Sequence, residues 1–258
     1  MNANPAIIPT FLLWVGFFAA GEFLYKRGPR LTFAIGLLLA IPCGLAALYY
    51  VHLFDNALWY YELRAPRWTD LAFSGIGFLA GAIQRWNSAE TRVGRFAVPT
   101  VFAVLFLIPF IKPILQPLDM GKLQDRCSGT ICLQSSYATC GPASAATILR
   151  GFGETVTEKD LALESYTYSG GTEAWYLARA VRRRGFNAEF RFTKTAFPAP
   201  SIAGVRVGGG HFIAILSASD KAVTVVDPLS GEFTFSPEEL RAKYRFTGFF
   251  LTVQPPAR

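Results

Sequence analysis

Four apolar runs occupy the first 115 residues, and alternating apolar and polar positions dominate the last third of the chain. The clearest run extends over residues 31–53 and contains no Asp, Glu, Lys or Arg. A helix needs about 20 mostly apolar residues to cross a bilayer. The runs at 6–25 and 96–115 meet the same requirement. The pattern therefore predicts a transmembrane helical region over residues 1–115.

The fourth run, residues 68–83, is shorter and rich in glycine. Asp70 lies near its start, and Gly75, Gly77 and Gly81 give it small positions at which another helix can approach closely. The pattern predicts about four membrane helices. For this segment, a buried or interfacial helix is the alternative.

In the second half, helical patterns come first and alternating patterns follow, which is typical of an α+β domain. Thr139 is predicted to cap one helix, which ends at Gly151. Thr157-Glu158-Lys-Asp160 resembles a capping box that begins a short helix through Leu163, and Thr172 is predicted to cap a helix from Glu173 to Arg184. After Gly185 the alternation predicts an antiparallel sheet. Its predicted strands are residues 186–192, 201–207, 211–216, 222–226, 232–235 and 246–253.

The composition agrees with a membrane-associated chain. Hydrophobic residues make up 52% of the sequence and charged residues only 17%, and the mean hydropathy is +0.30. Soluble domains carry about 25% charged residues. The net charge of +7 is too mild to indicate a nucleic-acid partner, so the lipid bilayer is the expected one. We divide the chain into a transmembrane region (1–115), a linker (116–133) and a soluble domain (134–258).

The distribution of Lys and Arg predicts the orientation of the helices in the membrane. The loops at 26–30 and 84–95 carry excess positive charge, whereas the loop at 54–69 is balanced. Positively charged short loops remain cytoplasmic. We therefore expect a multi-pass protein of the bacterial cytoplasmic membrane, with both termini and the soluble domain outside the cytoplasm.

Cys140 lies in the first turn of a predicted helix, where unpaired N–H groups and the helix dipole stabilise a thiolate. A thiolate nucleophile also needs a nearby imidazole. The chain contains two histidines, and His52 lies at the end of the second apolar run. If Cys140 is catalytic, His211 must be its partner. Taken alone, either residue would more often be structural.

A catalytic histidine needs a group that orients it. Asp227 ends a predicted strand that pairs with the strand begun by His211, so a hairpin brings the two residues together. Gln134 precedes Cys140 by six residues, and its amide can reach a developing oxyanion.

These residues lie in three recognisable motifs. They are Gln134-Ser-Ser-Tyr-Ala-Thr-Cys140-Gly-Pro-Ala-Ser, Gly-Gly-His211-Phe-Ile-Ala-Ile and Val-Val-Asp227-Pro-Leu-Ser-Gly. Over roughly residues 124–252 the chain resembles the C39 family of papain-like cysteine peptidases. That family includes domains that remove leader peptides after a double glycine during bacteriocin export.

The resemblance implies a papain-like α+β fold and a role for each motif residue. Cys140 would be the nucleophile, His211 the general base and acid, Asp227 the orienting group and Gln134 the oxyanion donor. Many family members are fused to an ABC exporter. This sequence contains no P-loop, so an exporter would be a separate partner.

The leading hypothesis is a membrane-anchored cysteine peptidase that hydrolyses peptide bonds in a peptide or protein substrate, with leader-peptide processing as one such reaction, and needs no cofactor. Two alternatives stay open. The same residues support acyl transfer of the transglutaminase or deamidase type, or the cleft holds a peptide without catalysis.

The remaining cysteines are relevant to whether the soluble domain lies inside or outside the cytoplasm. Cys127 and Cys132 have no second C-x-x-C pair to complete a zinc site, so we predict no metal. Outside the cytoplasm free thiols tend to pair. Cys43 lies in the second apolar run, and a nucleophilic Cys140 must stay free. A Cys127–Cys132 disulfide is therefore expected, and two reduced cysteines in a cytoplasmic loop are the alternative.

Overall fold

The computed structural model describes residues 4–50, 53–54, 56–87, 92–207 and 209–256. His52 and part of the predicted 84–95 loop lie outside the described residues.

Two compact units make up the chain. The apolar unit contains Ala3–Asp55 and Pro66–Leu115, and the C-terminal unit contains Asn56–Ala65 and Gln116–Arg258. The segment assigned to the linker thus lies in the same unit as the soluble domain, and so does a ten-residue piece of an early loop.

The N-terminal half is helical, as the apolar pattern predicts. Within the part of the chain that the structure describes, three helices are long and apolar enough to cross a membrane: Ile7–Tyr25, Pro29–Tyr49 and Phe96–Leu115. In chain order the helices of this half are α1 (Ile7–Tyr25), α2 (Pro29–Tyr49), α3 (Leu58–Arg64), α4 (Thr69–Ala72), α5 (Ile76–Asn87), α6 (Arg92–Leu107) and α7 (Ile111–Leu115). Short 3-10 turns at Phe73–Gly75 and Ile108–Phe110 join α4 to α5 and α6 to α7.

The glycine-rich fourth segment forms α4, the 3-10 turn and α5, and most of its residues are buried. Its glycines allow close approach to α1. A Cβ atom on Gly77 would collide with the carbonyl oxygen of Trp14, and one on Gly81 with that of Phe18. The small residues therefore serve helix packing, as predicted.

The C-terminal unit contains the predicted antiparallel sheet. Its six strands follow the spatial order β3-β8-β4-β5-β6-β7, and every neighbouring pair is antiparallel. From residue 127 onward the elements are β1 (Cys127–Ser128), β2 (Ile131–Cys132), α8 (Cys140–Gly151), α9 (Glu158–Glu164), α10 (Ala174–Arg183), β3 (Asn187–Phe192), β4 (Ser201–Arg206), β5 (Gly210–Ala218), β6 (Val223–Asp227), β7 (Gly231–Phe235), α11 (Pro237–Lys243) and β8 (Arg245–Gln254).

The ends of the helices follow the predicted caps only in part. Thr157 caps α9 in a reciprocal capping box with Asp160. Thr139 precedes α8, but its hydroxyl bonds to the main chain of Ser136 instead of capping the helix. Thr172 is not a cap, because α10 begins one residue later than predicted and the Thr172 hydroxyl pairs with that of Thr167.

One helix was absent from the predicted elements. Ser236 and Glu239 form a capping box that begins α11, with Pro237 in the first turn. This Ser-Pro-Glu-Glu signature is visible in the sequence. The helix leads directly into Tyr244, which becomes important at the site.

The loop helix α3 is an integral part of the C-terminal unit. The ring of Tyr61 lies about 5.5 Å from the rings of Phe190, Phe192 and Phe249 on strands β3 and β8. The ring of Tyr60 meets that of Trp175 edge to face at 5.9 Å. Tyr61 thus packs on aromatic side chains of the sheet, and Tyr60 packs on helix α10.

Polar contacts reinforce this docking. The guanidinium of Arg179 donates from Nε to the carbonyl oxygen of Ala65 at 2.8 Å and from Nη2 to that of Arg64 at 2.6 Å. The Arg64 guanidinium in turn lies over the Trp175 ring at 4.7 Å. Carbonyl groups at the C-terminus of a helix lack intrahelical donors. Arg179 on α10 supplies hydrogen-bond donors to two such carbonyl groups at the end of α3.

Candidate active site

Cys140 is the first residue of α8 and is a free, buried thiol with 8% of its surface exposed. Its neighbours in the first turn carry N–H groups that have no intrahelical acceptor, a setting that favours negative charge. The structure therefore places Cys140 at the start of a helix, as the sequence predicts.

His211 and Asp227 lie side by side, as the hairpin argument predicts. The imidazole Nε2 of His211 and the carboxylate Oδ1 of Asp227 are 3.0 Å apart, and both side chains are buried. His211 is near the start of β5, and Asp227 is the last residue of β6. The two strands are antiparallel neighbours, and Ala214 is paired with Val226.

The imidazole bridges the carboxylate and the thiol. Burial works against a positive charge on His211, but the hydrogen bonds to Asp227 and Cys140 and the negative charge of both groups raise its pKa from 6.5 to about 9. Since Nε2 bonds to Asp227, Nδ1 is the ring nitrogen that is left for the hydrogen bond with the Cys140 thiol. The imidazole thus lies between the carboxylate and the thiol.

The Asp227 carboxylate is held by donors on both of its oxygens. Burial raises its pKa, but hydrogen bonds from His211, the Leu229 N–H and the Tyr244 hydroxyl together hold it below the ordinary value. The Leu229 N–H donates to Oδ1 at 3.0 Å, and the Tyr244 hydroxyl donates to Oδ2 at 2.8 Å. Asp227 is thus kept ionised beside the imidazole.

Gln134 is brought to the same place by its main chain. Its N–H donates to the carbonyl oxygen of Pro228 at 2.9 Å, which joins it to the turn after Asp227. Its side-chain Nε2 donates to the Ser136 carbonyl at 2.9 Å. An amide nitrogen carries two hydrogens, so this bond uses only one of them.

A buried carboxylate supports the Gln134 segment. Glu158 has no exposed surface, and its two oxygens accept from the N–H and the hydroxyl of Ser135, each at 2.8 Å. Sequence reasoning placed Glu158 in a capping motif and missed this contact. It also missed Tyr244, because no local pattern connects residue 244 with residue 227.

A disulfide joins Cys127 and Cys132 across the β1–β2 hairpin, two residues before Gln134. The N–H of Cys132 also donates to the Thr147 hydroxyl on α8 at 3.0 Å. The hairpin is thereby attached to the helix that carries Cys140. Among the described residues, no group of three or more His, Cys, Asp or Glu side chains is arranged to hold a metal ion.

The sequence profile of the peptidase C39 family matches residues 129–258, a range that contains all four candidate site residues. This match covers half of the chain. The chain belongs to the peptidase C39 family. The antiparallel α+β domain expected from the resemblance is confirmed, and the C-terminal unit is a C39 peptidase domain preceded by apolar helices.

Two relatives come from species of Methanothermobacter. An uncharacterised protein of Methanothermobacter marburgensis is 34% identical over 126 residues, which are 48% of this chain and 87% of the relative. An uncharacterised protein of Methanothermobacter thermautotrophicus is 33% identical over 128 residues, which are 49% of this chain and 89% of the relative.

Solved C39-type domains give more distant matches. A double glycine motif protease from an AMS/PCAT transporter, in complex with its leader peptide, is 23% identical and has a TM-score of 0.43. The match covers 51% of this chain and 95% of that one. The peptidase domain of Streptococcus ComA, a bifunctional ABC transporter of a quorum-sensing pathway, is 21% identical with a TM-score of 0.41, and the match covers 52% and 98%.

Proposed function

We propose that this C39 family member is a membrane-anchored thiol peptidase in which Cys140, His211, Asp227 and Gln134 carry out the reaction. The observation that carries the proposal is the hydrogen bond between His211 and Asp227 beside a free cysteine at a helix start. The substrate is a peptide or protein segment. Removal of a leader peptide that an exporter handles is the specific reaction we favour, because the C39 family, to which the chain belongs, includes domains that remove such leaders.

The mechanism follows from the arrangement. The Cys140 thiolate attacks the scissile carbonyl carbon, and the oxyanion that forms accepts the second N–H of the Gln134 amide. His211 gives its proton to the leaving nitrogen, the C–N bond breaks and a thioester remains. Neutral His211 then takes a proton from water, the hydroxide attacks the thioester, and the Cys140 thiolate leaves.

Product analysis distinguishes this reaction from its alternatives. Hydrolysis adds one water to the substrate and gives a new carboxyl terminus. Acyl transfer instead releases ammonia or an amine, and simple binding leaves the peptide unchanged. We expect the full chain in detergent to cleave a peptide that carries a Gly-Gly leader junction, with mass spectrometry as the measurement.

A thiol reagent links this cleavage to one cysteine. The described residues contain two free cysteines, Cys43 and Cys140. The Cys43→Ala variant leaves Cys140 as the single free thiol, and iodoacetamide should block its cleavage fully. Cleavage that survives complete alkylation of Cys140 would contradict the thiol mechanism.

We propose that the peptidase domain is outside the cytoplasm. The loop-charge pattern places the 54–69 loop there, and residues 56–65 of this loop belong to the same unit as the peptidase domain. Two parts of one unit must lie on the same side of a membrane. The charge rule and the docking of α3 therefore support a single topology.

Reporter fusions test this topology. Fusions within residues 26–30 should report a cytoplasmic location, and fusions after Lys112 should report an external one. A fusion inside 54–69 should match the fusion after Lys112. A cytoplasmic signal after Lys112 would reverse the proposed orientation.

A further inference from the structure

Tyr244 is a buried residue to which the mechanism above gives no role. Only 3% of its surface is exposed, and its ring belongs to the hydrophobic core around Leu240 and Phe250. Its main-chain N–H donates to the Leu240 carbonyl at 2.9 Å, so the end of α11 fixes its backbone. The ring is therefore anchored independently of the site.

The hydroxyl of this anchored ring reaches the Asp227 carboxylate. It donates to Oδ2 at 2.8 Å, while Oδ1 accepts from His211 and from the Leu229 N–H. Without a donor on Oδ2, the carboxylate could rotate about its Cβ–Cγ bond and lose its alignment with the imidazole. A buried acceptor without a donor is also costly.

We propose that Tyr244 is a positioning residue of the active site: its hydroxyl fixes the Asp227 carboxylate so that Oδ1 faces Nε2 of His211. In this role Tyr244 acts through its hydrogen bond to Asp227. The proposal rests on the proposed function, since it names a residue that positions the Asp227 carboxylate of the same site.

Among the described residues, His211 and Tyr244 are the titratable groups that act on this carboxylate. His211 approaches from β5 and brings Cys140 behind it, and Tyr244 approaches from the end of α11. Lys243 is exposed, with its Nζ 5.5 Å from the centre of the Tyr244 ring, and Glu232 on the paired strand β7 is exposed as well. The direct hydrogen bonds should therefore dominate the ionisation of Asp227.

The Tyr244→Phe variant removes the hydroxyl and keeps the ring. We expect kcat to fall about tenfold with KM unchanged, because a hydrogen bond to a charged group is lost away from the substrate. Loss of this donor raises the pKa of Asp227, so the carboxylate protonates at a higher pH. The acidic limb of Cys140 alkylation by iodoacetamide should therefore move to higher pH.

A matched control removes another buried hydroxyl. Tyr60 packs on Trp175, and its hydroxyl accepts from Arg64 Nη1 at 3.4 Å. Tyr60→Phe should keep the wild-type kcat and the wild-type alkylation profile. A Tyr244→Phe profile that matches wild type would overturn the proposal.

A double-mutant cycle gives a second readout. If Tyr244 acts through Asp227, adding Tyr244→Phe to Asp227→Asn should change kcat less than twofold, whereas an additional tenfold loss would reject the role. The alkylation profile needs no substrate. It therefore judges Tyr244 even if Cys140→Ala retains hydrolysis and the proposed function fails.

Discussion

Replacing Cys140 with alanine in the full chain should abolish peptide hydrolysis, and replacing His211 with alanine should lower kcat/KM by at least about 1,000-fold. The first change removes the atom that forms the thioester. The second removes both the partner of the thiolate and the acid that protonates the leaving nitrogen. Initial rates on one peptide, with Cys43→Ala as the cysteine control, measure both effects.

The same pair of residues sets the expected pH dependence. Because the pKa of His211 is raised from 6.5 to about 9, the imidazolium persists through neutral pH and is lost as the pH rises through about 9. The rate of hydrolysis should therefore stay constant from neutral pH to about pH 9 and decline above it. The part of the folding stability that comes from this raised pKa is complete below pH 6.5 and is lost as the pH rises from 6.5 through about 9.

Alkylation separates this explanation from a simple loss of fold. His211→Ala should slow the reaction of Cys140 with iodoacetamide near neutral pH, since the thiolate loses its counter-ion. The Cys127–Cys132 disulfide should remain intact in that variant, which mass spectrometry of unreduced protein can verify. Equal alkylation rates in wild type and His211→Ala would exclude the ion pair.

Replacing Tyr61 with alanine should destabilise the C-terminal unit by about 3–5 kcal/mol, the usual cost of removing a large aromatic side chain from a core. Its ring contacts Phe190, Phe192 and Phe249 on strands β3 and β8, and only 8% of its surface is exposed. Hydrogen exchange of β3 and β8 in the full chain should rise accordingly.

The control comes from the same helix. Leu58 is 44% exposed, and Leu58→Ala should leave the exchange of β3 and β8 close to wild type. Tyr61→Phe keeps the ring and should also be mild. If Tyr61→Ala behaves like Leu58→Ala, the docking of α3 contributes little to the stability of the unit.

Local patterns were sufficient for the parts of the site that lie close together in sequence. The start of α8 placed Cys140, and one hairpin joined His211 to Asp227 across sixteen residues. The apolar runs likewise predicted the three long helices. In each case, a single element or a single turn determines the outcome.

Contacts between distant segments could not be predicted in this way. Arg179 donates to main-chain carbonyls 114 and 115 residues earlier, and neither residue type nor spacing signals that docking. The same holds for the bond of Tyr244 to Asp227. Thr139 and Thr172 show the related problem that a hydroxyl suited to capping can find another partner in the folded chain.

The hairpin disulfide has a practical consequence for anyone who purifies this protein. The C-terminal unit holds an oxidised pair, Cys127 and Cys132, and a reduced nucleophile, Cys140, in one fold. A millimolar dithiol, added to protect the nucleophile, also attacks the disulfide by thiol exchange. Rates measured in such a buffer would belong to a molecule in which the Cys127–Cys132 disulfide between β1 and β2 is reduced. Preparation under nitrogen without reductant preserves both states together.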